Sequence, residues 1–212
     1  MKALIFDTET TGLPKSRSPA EDGPNNWPHI VSISWVILDD NKITKQREYI
    51  IKPDNWVIPE DSIKIHGITN EIANARGHPL QTVMMEFLGE HCNVMIAHNM
   101  SFDYNVIMNA IKWDLEFDFN GFNVPMRCTM QLSKDQCKLP SRFGYKVPKL
   151  KELYEFIFKR SPNVSKLHGS MYDTLILTEC IQQCSWLQAA LSLPVSDPTT
   201  GNGIRTLNFN FK

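Results

Sequence analysis

Up to Pro59 the apolar residues recur mostly at every second position, and beyond it they recur at every third and fourth. That change of period restricts the fold more than any other feature, because a strand buries i and i+2 whereas a helix buries i, i+3 and i+4. Ala3 to Asp7 reads as a buried strand, broken after by Thr11-Gly12-Leu13-Pro14. Ile30 to Leu38 sets Val31, Ile33, Trp35 and Ile37 against Ser32 and Ser34, and a turn at Asp39-Asp40-Asn41-Lys42 leads to a third strand near Arg47 to Lys52. An antiparallel meander is expected. Beyond it Leu80, Val83, Met84, Phe87 and Leu88 form one helical stripe before a short strand, Asn93 to Ala97. Phe102, Val106 and Ala110 mark another helix with Ser101 as its N-cap, and Leu150, Leu153, Tyr154, Ile157 and Phe158 mark a third. A fifth strand fits best at Pro125 to Leu132, and a last helix at Tyr172 to Leu187 with Ile176, Cys180, Cys184 and Leu187 on one side.

With 42% apolar and 21% charged side chains in 212 residues, the chain is a single globular α/β domain, expected over residues 1–193 with a tail at 194–212. In the tail Leu207, Phe209 and Phe211 alternate, as an edge strand or a frayed end does. Ile30 to Leu38, the longest near-apolar stretch, is far too short to cross a bilayer, and the run Ala3 to Phe6 ends at Asp7 before it could serve as a secretory signal. The five cysteines never form a C-x-x-C pair, which argues against a disulfide framework or a zinc knuckle, and Cys180 and Cys184 read as core neighbours. An intracellular location, cytoplasmic or nuclear, is expected. Gly12 to Pro28 holds four prolines and two glycines, long for a connection inside a compact domain and therefore functional or disordered.

Charge is nearly balanced at −1, but unevenly spread. Lys134 to Lys166 carries nine Lys/Arg against Asp135, Glu152 and Glu155, a net of +6 that leaves −7 elsewhere. Such a segment is either a solvated face or a contact for a polyanion.

Carboxylates point to the chemistry. On a strand Asp7 and Glu9 share a face, and paired carboxylates repel unless a cation joins them. Hard divalent cations take oxygen ligands of this kind, and open coordination positions suit phosphate chemistry. Asp103 and Asp173 each fall in the first turn of an expected helix, Asp173 at capping-box spacing from Ser170, where a cap and a metal ligand are both reasonable roles. His168 lies in the loop just ahead of that helix.

Together Phe6-Asp7-Thr8-Glu9-Thr10-Thr11-Gly12-Leu13, His98-Asn99-Met100-Ser101-Phe102-Asp103 and His168-Gly169-Ser170-Met171-Tyr172-Asp173 resemble the three motifs of the DEDDh 3′-to-5′ exonucleases. That superfamily includes the proofreading subunit of bacterial DNA polymerase III. The likeness runs from Lys2 to about Leu187, and Ile65-His66-Gly67-Ile68-Thr69 also looks like a family segment. The resemblance implies a ribonuclease-H-like α/β fold whose five-stranded mixed sheet has three antiparallel strands, then two parallel ones, flanked by helices. It implies two Mg²⁺ or Mn²⁺ ions held by Asp7, Glu9, Asp103 and Asp173, with His168 as the general base and a 5′-mononucleotide as product. It further implies that the Thr10 backbone faces the terminal 3′-OH, that Leu13 packs against the last base, and that His66, Asn99 and Phe102 line the cleft. The chain departs from the pattern at Ser170, where the family often has Ala, and at Cys128-Thr129, where Asp-Thr is common. All four acids and the histidine are kept.

The partner implied is nucleic acid with a free 3′ end, DNA favoured, with no membrane and with a separate polymerase or repair complex if the role is proofreading. Lys138 to Lys151 is expected to contact the phosphate backbone. Alternatives are a 3′-to-5′ exoribonuclease of the same family and a non-catalytic nucleic-acid-binding module using the +6 segment with Phe143 and Tyr145. A haloacid-dehalogenase-type phosphatase also opens on a strand running into D-x-D-x-T, but Glu9 breaks that pattern and His168 and Asp173 gain no role in it.

Overall fold

A computed structural model describes residues 1–194; the alternating Leu207, Phe209 and Phe211 lie outside the described residues. Five strands form one sheet in the order β3-β2-β1-β4-β5: β1 (Lys2–Thr10), β2 (Ile30–Asp39), β3 (Lys42–Ile50), β4 (Val94–Ala97) and β5 (Met126–Cys128). β1, β2 and β3 are antiparallel neighbours, while β4 lies parallel to β1 and β5 parallel to β4, as expected. The β2–β3 turn is tight because Asp40 and Asn41, at φ 44° and 62°, tolerate the left-handed region that a two-residue hairpin favours.

The strand period places side chains on two faces. Leu4 and Phe6 point into a core shared with α3 (Leu80–Leu88) and α4 (Met100–Asn109). Ala3 and Ile5 point the other way, into a core shared with α7 (Leu150–Phe158), α8 (Ser170–Gln183) and α9 (Ser185–Ala190). The short helices α1 (Glu60–His66) and α2 (Asn70–Arg76) close a small satellite cluster around Val31, Ile58 and Ala73. Between β5 and α7 the chain forms α5 (Thr129–Leu132), α6 (Lys134–Cys137) and a hairpin of β6 (Leu139–Ser141) and β7 (Gly144–Lys146).

Several boundaries differ from the sequence expectation. β1 runs on through Asp7 to Thr10, because Thr8, Glu9 and Thr10 are buried rather than trailing into solvent. β5 stops at Cys128, and Thr129 to Leu132 is helical. Ser101 is not the N-cap of α4; Asn99, at φ 84°, holds that position and Ser101 lies inside the helix. The last helix breaks at Cys184, whose φ −122° and ψ 99° are extended, so Leu187 belongs to α9 yet still packs in the same core. Cys180 and Cys184 are buried core residues, as expected.

The Gly12 to Pro28 segment is ordered and pinned. Ala20 is fully buried, its N–H bonding Asn105 Oδ1 at 2.8 Å and its carbonyl accepting from Trp113 Nε1 at 2.7 Å. Trp27 donates to the Ser18 carbonyl and meets Phe102 edge-on at 5.9 Å.

α8 lies close against β2 through hydroxyls. Ser32 Oγ donates to Ser170 Oγ at 3.2 Å, and Ser34 Oγ and Thr174 Oγ1 are 2.7 Å apart. In register Ser34 pairs with Asp7 and Ser32 with Glu9, so this seam lies on the face to which Asp7 and Glu9 project.

Candidate active site

Asp7 and Glu9 stand at the C-terminal end of β1, where its neighbours run in opposite senses: β2 antiparallel and β4 parallel. In open α/β sheets this kind of edge is where ligands collect. Between Glu9 and Thr10 the β1–β2 register slips, so that Thr10 pairs with Ile30 and Val31 is the extra residue on β2. A bulge of this kind re-aims side chains beside a site.

Three of the four expected acids converge. Asp7, Glu9 and Asp173 each offer a carboxylate oxygen, and these oxygens lie within 4.8 Å of one another. Asp173 sits in the first turn of α8, but not in a capping box, since Gly169 is the N-cap and the Ser170 hydroxyl is engaged by Ser32. Its Oδ2 instead accepts the His168 N–H at 3.2 Å, while its Oδ1 is buried without a hydrogen-bond partner.

Asp103 comes from the opposite layer. α4 packs on the Leu4 and Phe6 face, and Thr8 is the next residue of β1 on that face, so Asp103 meets Thr8 before it meets the cluster. Its Oδ1 accepts from Thr8 N–H at 3.1 Å and from Thr8 Oγ1 at 2.8 Å. It is near enough for its charge to raise the pKa of both Asp7 and Glu9.

Burial and mutual repulsion hold the acids toward their neutral forms. Asp7 is pushed well above the ordinary carboxylate range, first by burial and then by Asp103, Glu9 and Asp173. Glu9 is pushed up to about 9 by burial and by the charges of Asp173 and Asp103. Burial raises Asp103 and Asp173 to about 7 each, opposed by the Thr8 donors at Asp103 and by the His168 N–H at Asp173. Crowded carboxylates that resist ionisation, with one buried oxygen unpartnered, are a donor set completed by a divalent cation: oxygen ligands only, negative charge concentrated, a lone pair waiting. Asp7, Glu9 and Asp173 fit such an ion, with Asp103 alongside.

The other sequence-predicted residues are more dispersed. His168 is exposed, at φ 65°, and touches Asp173 through its backbone. Leu13 is 83% exposed just beyond β1, and Thr10 is buried with its hydroxyl on the Gly12 carbonyl. Gly67, at φ 76°, ends α1 in the left-handed region that favours glycine and turns the chain so that His66 Nδ1 accepts the Ile68 N–H. His66 Nε2 is left buried without a partner; burial lowers its pKa against an opposing pull from the Thr10 carbonyl. Asn99 caps α4 through its backbone, and Phe102 is held against Trp27.

Two contributors carry no motif role in the sequence reading. Thr8 is the strut for Asp103, hidden because it looks like a spacer between the two acids. His98 bonds the Pro148 carbonyl through Nε2 at 3.0 Å and Thr129 Oγ1 through Nδ1 at 2.9 Å, and burial lowers its pKa to about 4. A carbonyl only accepts, so the neutral ring carries its proton on Nε2 and Nδ1 receives the Thr129 hydroxyl.

Phosphoryl chemistry on a polyanion is what such an edge serves, and fold and site together put the molecule among nucleases of ribonuclease-H-like fold. The sequence profile of the RNase T exonuclease family matches residues 4–181. The chain belongs to that family, within the DEDDh exonuclease superfamily, and carries an exonuclease domain. No curated protein matches the chain by sequence. Among solved structures it is similar to exonuclease X in complex with 5′-overhanging duplex DNA, at 20% identity and a TM-score of 0.60, covering 91% of this chain and 95% of that one. It is also similar to E. coli exonuclease I in a complex with single-stranded DNA, at 17% identity and a TM-score of 0.66, covering 90% of this chain and 42% of that one. At these identities the likeness is one of fold. No helix among the described residues is long and apolar enough to cross a membrane.

Proposed function

We propose that the protein is a divalent-metal-dependent 3′-to-5′ exonuclease that releases 5′-mononucleotides, with DNA as the favoured substrate. The convergence of Asp7, Glu9 and Asp173, with a buried Asp173 oxygen lacking any partner, carries this reading. Asp7, Glu9, Asp103 and Asp173 would hold two Mg²⁺ or Mn²⁺ ions, which would supply Lewis acidity at the scissile phosphate. His168, exposed at the rim, would serve as the general base that takes the proton of the attacking water. Its backbone N–H keeps Asp173 Oδ2 engaged, which leaves Oδ1 for the cation.

The terminal nucleotide is received by the segment that follows β1. Thr10 presents its backbone to the 3′-OH, and exposed Leu13 lies against the last base. Half-buried His66, whose ring feels the Thr10 carbonyl, lines the cleft with Asn99 and Phe102, Phe102 braced by Trp27. In a proofreading role it would act with a separate polymerase or repair complex.

Digestion of 5′-end-labelled single-stranded DNA, duplex DNA and RNA side by side in Mg²⁺ tests polarity, substrate and product together. Shortening from the 3′ end with mononucleotide release, stopped by EDTA and reduced by about a hundredfold or more in His168→Ala, is the expected result. Nuclease activity that survives EDTA rejects the metal-dependent reading.

A further inference from the structure

The β6–β7 hairpin stands apart from both cores. Phe143 at its tip is 87% exposed and Tyr145 is 46% exposed, whereas Leu139 at its base packs against the α8-side core. Pro140 pairs with Tyr145 across the hairpin, so these two face away from the side that Leu139 anchors. Gly144, at φ 104°, closes the turn, and Ser141 Oγ bonds its carbonyl at 3.0 Å. The tip is therefore a fixed platform. Arg142 lays its guanidinium 5.1 Å from the Phe143 ring centroid, pairing a cation with an aromatic face.

Part of the unmatched charge of the basic segment lies here. Lys146, Lys151 and Arg160 are matched by Glu152, Glu155 and Glu179. Lys134, Lys138 and Arg142, which lead into and cap the hairpin, form no salt bridge among the described residues.

The hairpin is tied to the acidic site. Pro148, two residues past β7, accepts from His98 Nε2 at the C-terminal end of β4, and the next residue, Asn99, caps the helix carrying Asp103. β4 runs parallel to β1, so the ends that bear His98, Asp7 and Glu9 share one edge of the sheet.

An exposed aromatic with a stacked arginine, beside unpaired lysines and joined through Pro148 to the edge that holds the carboxylates, has the chemistry of a stacking platform for unpaired bases. We propose that the β6–β7 hairpin binds single-stranded nucleic acid upstream of the terminal nucleotide, Phe143 stacking on a base and Arg142, Lys138 and Lys134 lying along the phosphates. This rests on the exonuclease reading for the position of the strand, and gives that enzyme a preference for unpaired substrate, because bases in a duplex offer no free face to Phe143.

The test is fluorescence anisotropy with fluorescein-labelled dT20 and a blunt 20-base-pair duplex, in EDTA so that nothing is hydrolysed. Phe143→Ala is expected to weaken dT20 binding by about tenfold while changing duplex binding by less than about twofold, and Phe143→Trp to restore it. Arg142→Gln is expected to weaken dT20 binding and to lower its log–log salt slope by about 0.7. Unchanged dT20 affinity in Phe143→Ala, or an equal loss on duplex, overturns the proposal. Nucleotide release from dT20 by the unaltered protein in Mg²⁺ is scored separately. Its absence, with hairpin-dependent binding intact, refutes the exonuclease reading and supports the hairpin contact; release with hairpin-independent binding does the reverse.

Discussion

The two helices that bring acids to the end of β1 do so from opposite layers, and they treat those acids differently. Asp173, from α8, shares its layer with Asp7 and Glu9 and keeps one buried oxygen without a donor. Asp103, from α4, crosses from the other layer and spends an oxygen on the backbone and hydroxyl of Thr8. Both are raised to about 7, so burial dominates each side, and on the α8 side a fully buried oxygen has no hydrogen-bond partner. The two share a place in the first turn of a helix, but because their helices arrive from different layers they meet different hydrogen-bond donors.

The sharpest way to break this contrast is Asp173→Asn. Removing the charge and replacing one carboxylate oxygen by an amide NH₂ should lower Mg²⁺-dependent nucleotide release by about a thousandfold, comparable to the loss of other groups that stabilise charge at a transition state. Retained turnover in the end-labelled digestion would sink the assignment of Asp173 to the cation.

A smaller effect tests the shared burial. Folded-state values near 7 for Asp103 and Asp173 and about 9 for Glu9 lie far above those of the unfolded chain, so the folded protein keeps protons that the unfolded chain has released. Stability of the metal-free protein is then greatest below pH ~4 on this account and falls as pH rises toward 9. Thermal unfolding in EDTA should show Tm falling between pH 5 and pH 8, less steeply in Asp173→Asn, with Mg²⁺ restoring it at pH 8. A Tm that rises over that interval in EDTA would contradict the raised values.

The least effect is expected from Thr8→Val. It deletes the 2.8 Å hydroxyl bond to Asp103 and leaves the 3.1 Å N–H bond, at a cost of about 1 kcal/mol, or about 3 °C in Tm. Turnover should fall by about fivefold, far less than in Asp173→Asn, as expected of a group that positions a ligand. Equal losses in the two variants would erase the distinction between the layers.

Much of the sheet was legible because period and turn chemistry act locally. Ile30 to Leu38 and the Asp40-Asn41 turn needed only their own residues, and the Leu80 to Leu88 stripe faces one core. α8 was read less well because the sheet and α7 bury it on two sides, so no single stripe marks where it ends, and its break at Cys184 carries neither glycine nor proline. The β6–β7 hairpin went unread for the opposite reason: Leu-Pro-Ser and Gly-Tyr-Lys are largely exposed and show no apolar alternation. At the site the acids stood out through their motifs. Thr8 did not, since its partner lies 95 residues away and reaches it only once α4 is laid on the far face of β1.

The paired hydroxyls between β2 and α8 bear on how these two positions can vary. Alanine in place of Ser170 alone would take from the buried Ser32 hydroxyl the acceptor it uses. Exchanging both for alanine removes donor and acceptor together and is close to neutral. The two positions are thus thermodynamically yoked: either residue is a burden without its mate, so serine at one is a reason for serine at the other.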